Sequence, residues 1–188
     1  MDGISWAASA MVAARARLDI ATHNLANSSS DGYRRSAARG VLGPDGVRIS
    51  RVTTQTQGAL RQTNRQFDLA IVGPGNFHVR DARGSVVETR NGSFTRDRNG
   101  LLRDDAGRVL LANGAALRVS ANERLDGRND IVRGASVRSG FVEASDVDAI
   151  SEMIDVMTAQ RSFESAEKVV SAIDQTRQKA SNDLARLK

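Results

Sequence analysis

Apolar and small residues recur at alternating steps of three and four along the last stretch of the chain, from Ser145 to Lys188. This heptad spacing gives a helix one narrow apolar face that packs against another helix. At its start, Ser145-Asp146-Val147-Asp148 has the residue types of a helix cap, with acids near the positive end of the helix dipole. A helix of this length would extend about 60 Å and would need partner helices to cover it. Its predicted seam, which only Arg177 interrupts, comprises Val156, Ala159, Phe163, Ala166, Val170, Ile173, Ala180, Leu184 and Leu187.

The N-terminus carries the same rhythm without a break. Asp2 is placed to cap a helix there, and the polar run from Asn27 to Gly32 ends it. Such an alanine-rich seam buries little area, so the helix is stable only when packed. Two interpretations remain open: an amphipathic pair that closes a small bundle, and a coiled coil that also packs against neighbouring copies. The seam comprises Ile4, Ala7, Met11, Ala14, Leu18, Ala21 and Leu25.

Between these ends, short apolar runs alternate with turn residues, which is typical of antiparallel hairpins. Asn91-Gly92 and Asn99-Gly100 are the clearest turn signals. The predicted strands are 69–72, 77–80, 86–89, 93–95, 100–103 and 109–111, with weaker edge candidates at 117–119, 131–132 and 137–138.

The predicted fold class is α+β, with N- and C-terminal helices that pair as a coiled coil and a small antiparallel β-domain between them. Residues 1–32 form the N-terminal helix, 33–56 a connector, 57–140 the β-domain and 141–188 the long C-terminal helix. The connector contains a Gly43-Pro44-Asp45-Gly46 turn, after which Val47, Ile49 and Val52 indicate one extended piece.

Composition excludes several kinds of site. The 188 residues include no cysteine and only two histidines, which excludes disulfides and thiolate metal sites and disfavours a histidine-rich one. The formal charge of +5 raises the question of an anionic partner. Because arginines and acids are interleaved, apart from Arg34-Arg35, a mixed-charge surface is favoured over a basic groove.

No run approaches the 18 apolar residues of a transmembrane helix, and Arg15 and Arg17 interrupt what would be a secretory signal. We therefore expect no membrane insertion. The chain either stays in the cytosol or leaves by a route that cleaves no signal.

Catalytic motifs are also missing from the sequence. It has no phosphate-binding Gly-Lys-Ser/Thr loop and no His-Glu-x-x-His motif. Asp97 and Asp104-Asp105 fall in predicted turns, where aspartate is favoured for backbone reasons. His23 and His78 are isolated. We expect no enzyme activity, no cofactor, no metal and no small-molecule substrate; Tyr33-Arg34-Arg35 alone does not make a nucleic-acid site.

Four sequence blocks, in order, resemble the signatures of the flagellar rod and hook axial proteins, most closely the rod proteins of proximal or distal type. Two residues depart from the family pattern: Asn76 replaces a second aromatic, and Asp146 replaces the asparagine of Ser-Asn-Val. The blocks are Asn24-Leu25-Ala26-Asn27 with Asp31-Gly32-Tyr33; Gln57-Gly58-Ala59-Leu60 through Phe67-Asp68-Leu69-Ala70-Ile71-Val72-Gly73; Thr89-Arg90-Asn91-Gly92-Ser93-Phe94 with Asp97 and Asn99-Gly100; and Gly140-Phe141-Val142-Glu143 through Ala159-Gln160-Arg161-Ser162-Phe163-Glu164.

The resemblance implies a structural subunit of the flagellar basal-body rod. It further implies terminal helices that are poorly ordered in the monomer and form the inner tube of a hollow helical assembly, which transmits torque from motor to hook. Implied partners are further copies, other rod and hook subunits and the flagellar type III export apparatus, with export across the inner membrane. The short connector implies a small outer domain. The residues expected at the assembly interface are Ile4, Met11, Leu18, Asn24, Leu25, Asn27, Val156, Phe163, Val170, Ile173, Leu184 and Leu187.

The alternative is a cytosolic coiled-coil module that binds an anionic partner through its basic surface at Arg34-Arg35. Retention on DNA or heparin that falls with salt would distinguish it.

Overall fold

The computed structural model describes residues 3–43, 46–132 and 134–186, without the side chains of 181 and 183–186. Two compact units divide the chain. The helical unit takes its described residues from three segments: Met1–Ala26, Arg35–Thr54 and Val147–Lys188. The β unit combines Asn27–Arg34 with Gln55–Asp146.

The helical unit contains two long helices, α1 (Gly3–Ala26) and α2 (Ala149–Arg186). The 38 residues of α2 correspond to about 57 Å at 1.5 Å per residue. Its cap is Asp148, whose carboxylate accepts hydrogen bonds from the Ile150 amide (3.2 Å) and the Ser151 hydroxyl (2.6 Å). The helix therefore starts later than the cap predicted at Ser145. Neither helix is long and apolar enough, over its described residues, to cross a membrane.

The two helices pack side by side in opposite directions. Near the end of α1, the Asn24 amide contacts the Glu152 carboxylate in the first turn of α2. At the other end, a methyl group built on Gly3 would lie 3.5 Å from Cδ1 of Ile173. The same number of residues separates Gly3 from Asn24 as separates Glu152 from Ile173, so the helices stay in step over this span. Supercoiling of the pair remains a prediction.

A β-hairpin packs on α1 in the same unit. It consists of β1 (Ser36–Gly43) and β2 (Gly46–Thr53), paired antiparallel from Ser36↔Thr53 to Gly43↔Gly46. Its open end lies near the end of α1, and its tip lies at Ser9, whose Oγ is 2.3 Å from where a Cβ on Gly46 would stand. The segment 33–56, which the sequence analysis treats as a connector, thus contains this hairpin. Pro44 and Asp45 of the predicted turn lie outside the described residues, as does the predicted cap Asp2.

Ten short strands make up the β unit. A six-stranded sheet has the order β6-β5-β9-β8-β7, with β10 added on β9, and two further pairs join β4 to β11 and β3 to β12; all pairings are antiparallel. The strands are β3 (Leu60–Gln62), β4 (Leu69–Val72), β5 (Phe77–Arg80), β6 (Val86–Thr89), β7 (Thr95–Arg96), β8 (Leu102–Arg103), β9 (Val109–Ala112), β10 (Ala115–Ala116), β11 (Ser136–Ser139) and β12 (Phe141–Glu143).

The core of the β unit is one hydrophobic cluster built around the two phenylalanines Phe77 and Phe94. Their rings meet edge to face with centroids 5.4 Å apart, an arrangement that aromatic quadrupoles favour. The other large core side chains with no exposure are Leu69, Ile71, Val79, Leu102, Leu110 and Leu125.

The architecture is α+β, as the sequence predicts. Strands β4, β5 and β6 coincide with the predicted runs, because each combines β-branched residues with a flanking turn. Residues 117–119 and 131–132 are not strands, although Leu117, Val119, Ile131 and Val132 are buried in the core. Apolar residues there mark burial in irregular backbone.

Three hairpin turns of the β unit share one Asp-x-x-Gly design, at Asp81–Gly84, Asp97–Gly100 and Asp104–Gly107. In each, the glycine has positive φ and donates its amide to the aspartate carbonyl. The aspartate carboxylate accepts two further backbone amides, two and four residues on, at 2.8–3.0 Å. Asp97 and Asp104 therefore close turns, which is the backbone role that their position predicts.

Candidate assembly interface

The predicted seam of α1 lies along the helix face that packs on α2. Its alanines, Ala7, Ala14 and Ala21, are buried, because small side chains let the two helices approach closely. The larger members alternate with them and are half-buried: Ile4, Met11, Leu18 and Leu25.

The seam of α2 shows the same alternation. Ala159 and Ala166 are buried, whereas Ala180 is exposed. Leu184 lies in α2, but its side chain is outside the described part, and Leu187 is outside the described residues altogether. The half-buried members are Val156, Phe163, Val170 and Ile173. The structure thus brings most of the predicted interface residues together as the contact between α1 and α2 of one chain.

A second face of α1 is buried as well. Ala13, Ile20 and Asn24 are seven and four residues apart and at most 7% exposed. Hairpin contacts at Ser9 and Asn24 place this face toward β1 and β2. The helix therefore packs on two sides, which a search for one seam does not reveal.

Asn24 is fully buried and joins all three parts of the helical unit. Its side chain pairs with the Ser36 backbone at the start of β1, accepting from the amide (2.9 Å) and donating to the carbonyl (2.8 Å). Its amide also donates to Glu152 Oε2 at 3.1 Å. Glu152, 1% exposed, forms a salt bridge with Arg35, which also reaches Asp155 at 3.2 Å. We call Asn24, Ser36, Arg35 and Glu152 the polar lock.

Neither Arg34 nor Arg35 is available as a simple anion-binding group. Arg35 is committed to the acids of the polar lock. In the β unit, Arg34 donates to Gln55 Oε1 at 2.7 Å. A cleft of about 330 Å³ beside the polar lock is lined largely by side chains that already pair with one another. The anionic-partner alternative therefore gains no support from this geometry.

Asn27, also predicted at the interface, belongs to the β unit. Its carbonyl accepts the Ser30 amide at 3.1 Å, and its side-chain oxygen accepts the Ser30 hydroxyl at 3.2 Å. It closes the turn that follows α1, and the structure does not place it with the helix seam.

Residues of all four signature blocks meet around a buried ion pair in the β unit. Arg90 Nε lies 3.0 Å from Glu143 Oε2, and both side chains are at most 3% exposed. The Arg90 guanidinium also donates to the carbonyls of Gly73 and Gly75 at 2.8–3.1 Å. Burial lowers the pKa of Arg90 from its ordinary value, and the Glu143 charge opposes that change.

The remaining blocks reach the same place through backbone. The Gly58 amide donates to Glu143 Oε1 (3.1 Å), and the Gly32 amide to the Glu143 carbonyl (2.6 Å). Glycine is required at 58, because a Cβ there would stand 2.0 Å from the Ala144 carbonyl oxygen. The signatures thus describe one connected polar centre.

The two departures from the family pattern occupy different settings. Asn76 donates to Glu88 Oε2 at 2.8 Å, at an exposed position beside β6. Asp146 is half-buried in the β unit and its backbone amide donates to the Tyr33 carbonyl at 3.3 Å. Because Asp148 caps α2, the Asp146 substitution lies outside that cap.

Sequence reasoning did not single out an apolar stripe on α2. Ile150, Met153, Ile154 and Met157 are 50–70% exposed and follow helical spacing, i, i+3, i+4, i+7. At 100° per residue they lie opposite the face that packs on α1. The signal is present in the sequence as a second set of apolar positions. Among the described residues, no cluster of three or more potential metal-binding side chains occurs.

Comparisons with known proteins agree with these motifs. Residues 4–34 match the family described as "Flagella basal body rod protein", and residues 138–183 match "Flagellar basal body rod FlgEFG protein C-terminal". The flagellar basal-body rod protein FlgG of Agrobacterium fabrum is 25% identical over 252 aligned positions, which cover 93% of this chain and 96% of FlgG. The corresponding FlgG of Buchnera aphidicola is 25% identical, with 87% and 92% covered.

The flagellar hook protein FlgE of Brucella abortus is 37% identical over 118 residues, 57% of this chain but only 30% of the hook protein. The 252 positions aligned with FlgG exceed the 188 residues of this chain, so the rod relative has additional residues opposite gaps here. The resemblance that the four blocks predict is confirmed: this chain is similar to the flagellar rod and hook axial proteins along nearly its whole length.

Proposed function

We propose that this chain is a structural, non-enzymatic subunit of the flagellar basal-body rod. In this proposal it assembles with further copies and with other rod and hook subunits into a hollow helical structure that transmits torque from motor to hook and encloses the export channel. The observation that carries the proposal is the similarity to FlgG over 96% of that protein, together with the family matches at both helical ends.

The helical unit supports this role through its geometry. Stiff antiparallel helices suit an axial element that carries load, and α2 continues from Ile173 to Arg186, beyond the level at which α1 begins. The described side chains of this extension, such as Ala180, are exposed. We infer that neighbouring subunits cover it in the assembly, where the paired helices form a coiled-coil tube.

Delivery by the flagellar type III export apparatus, without signal cleavage, completes the proposal. The basal body would then be the site of function, with the rod crossing the periplasm in a cell with two membranes. The absence of cysteine fits passage into an oxidising compartment, since no misbridging can occur there.

An internally tagged copy tests the proposal. The Asp104–Gly107 turn accepts an insertion after Ala106, because Asp105, Ala106 and Gly107 are exposed and open space surrounds Gly107. We expect the tagged protein to co-purify with basal bodies in a fraction that resists high salt. Recovery only from the soluble cytosolic pool, in motile cells whose tagged copy is functional, would contradict the proposal.

A seam variant adds a second readout. Ile173→Asp is expected to remove the tagged protein from basal bodies while the β unit stays folded, because the substitution places a charge in the helix contact. Normal rods in this variant would count against assembly through the paired helices.

A further inference from the structure

Two exposed apolar surfaces occur on the helical unit at different levels along α1. We name the first the α2 stripe: Ile150, Met153, Ile154 and Met157. We name the second the hairpin tip: Val41 (58% exposed) and Leu42 (70% exposed) at the end of β1, with Trp6 (41%) on α1. Exposed apolar residues that cluster in this way mark interaction surfaces.

Neither side of the hairpin tip is covered by described residues. Successive side chains of a strand point to opposite faces, so exposure of both Val41 and Leu42 leaves both faces open. Trp6 belongs to this surface because its carbonyl accepts the hydroxyl of Ser9, the residue against which Gly46 of the tip lies.

The two surfaces are separated along the helix axis. The α2 stripe lies at the level of Glu152, which contacts Asn24, whereas the hairpin tip lies at the level of Ser9. Fifteen residues of α1 between these levels correspond to about 22 Å. One chain cannot bring them together without taking the helical unit apart.

Their charges are opposite. From Ala149 to Gln160, α2 contains Glu152 and Asp155 and no basic residue, and the cap Asp148 adds a third acid. The described residues of β1 and β2 contain three arginines and no acid: Arg39, Arg48 and Arg51, all exposed. An apolar surface flanked by acids thus matches an apolar surface flanked by arginines.

We propose that the hairpin tip of one copy docks on the α2 stripe of a second copy. The inference rests on the proposed axial function and names the surfaces that would carry one of its contacts. Because the two surfaces differ, the contact is heterologous, and its repetition adds copies without closing a dimer. Successive copies would be displaced by about 22 Å along the helix direction.

Cysteine cross-linking tests this contact, since the natural sequence contains no cysteine. Full-length Leu42→Cys and Met153→Cys proteins are purified separately, mixed at a concentration where the wild-type protein sediments as an assembly, and treated with a short thiol-reactive cross-linker. Exposed positions are chosen so that folding is retained, and Val41→Cys with Met157→Cys provides a second pair. Ala106→Cys, exposed in the β unit, replaces either partner as the control.

We expect covalent dimers in the Leu42→Cys/Met153→Cys mixture at least fivefold above either variant alone or the Ala106→Cys mixtures. Dimers that form equally within each single variant would overturn the inference in favour of a symmetric contact. Sedimenting assemblies without the heterotypic dimer would overturn the inference and leave the axial function standing. A wild-type protein that never sediments, with no heterotypic dimer at any concentration tested, would overturn both.

Discussion

The side-chain amide of Asn24 donates to the carboxylate of Glu152 at 3.1 Å, across 128 residues of sequence. Both side chains are at most 1% exposed, and each has further partners, so the polar groups of the lock satisfy one another in a buried setting. A polar contact of this kind fixes how two apolar faces align, because any other alignment leaves its members unpaired.

Asn24→Ala is therefore expected to destabilise the helical unit. It leaves the Ser36 backbone and Glu152 without a partner, which costs about 2–4 kcal/mol for several buried groups. Thr22→Ala, exposed on the same helix, is the control and is expected to change stability by less than about 0.5 kcal/mol. Urea unfolding followed by helical circular dichroism measures both. Equal stability of the two variants would show that the lock contributes nothing to folding.

Val170→Asp and Val169→Asp make the same chemical change on neighbouring residues of α2. Val170 is half-buried in the seam, whereas Val169 is 50% exposed. We expect Val170→Asp to lower the stability of the helical unit by about 2–3 kcal/mol, since burying a charge is costly, and Val169→Asp to have little effect. Hydrogen exchange of α1 amides measures the difference. Faster exchange in Val169→Asp than in Val170→Asp would contradict the observed helix contact.

Arg90→Met leaves the buried Glu143 carboxylate without its cation. Loss of one partner from a buried ion pair costs about 3–5 kcal/mol, and we expect that loss in urea unfolding of the β unit. Arg90→Lys should not restore stability, because a single ammonium cannot reach Glu143 and the two glycine carbonyls together. The double variant Arg90→Met/Glu143→Leu is expected to regain part of the loss. If it is as unstable as Arg90→Met alone, the charge of Glu143 is not the cause.

The Asp97 turn makes stability depend on pH in the acid range. The backbone amide of Leu101 is the main reason that the pKa of Asp97 lies below its ordinary value, and Arg103 and the Asn99 amide act in the same direction. Because the folded pKa is the lower one, the stabilisation is fully present above the unfolded value of about 4 and is lost as pH falls through the folded pKa.

We expect the melting temperature to hold from pH 7 to about pH 5 and to fall below about pH 4. Asp97→Asn should flatten that fall, because the amide oxygen still accepts backbone hydrogen bonds but does not titrate. Asp105→Asn, exposed in the neighbouring turn, is the control. A melting profile that is identical in wild type and Asp97→Asn down to pH 2 would contradict the assignment.

Sequence periodicity predicted the helices and the central strands because each has a local cause: heptad spacing for the helices, β-branched runs and aspartate-glycine turns for the strands. The half-buried Phe163 and the buried Ala159 and Ala166 follow the predicted rhythm. The polar lock was not predictable in this way, since Asn24, Arg35 and Glu152 each look like ordinary polar residues until the chain brings them together. The hairpin of 36–53 was only half visible, because its packing on Ile20 and Ala13 depends on a second face of α1.

The helical unit is discontinuous in sequence, and this sets the order in which it can fold. Most of the β unit is one continuous stretch, 55–146, whereas α1 is synthesised first and its partner α2 last. Until the final residues leave the ribosome, the seam of α1 has only the hairpin to pack against. Formation of the helix pair must also close a loop of more than a hundred residues, so a β unit that folds early would shorten the search by holding much of that loop compact.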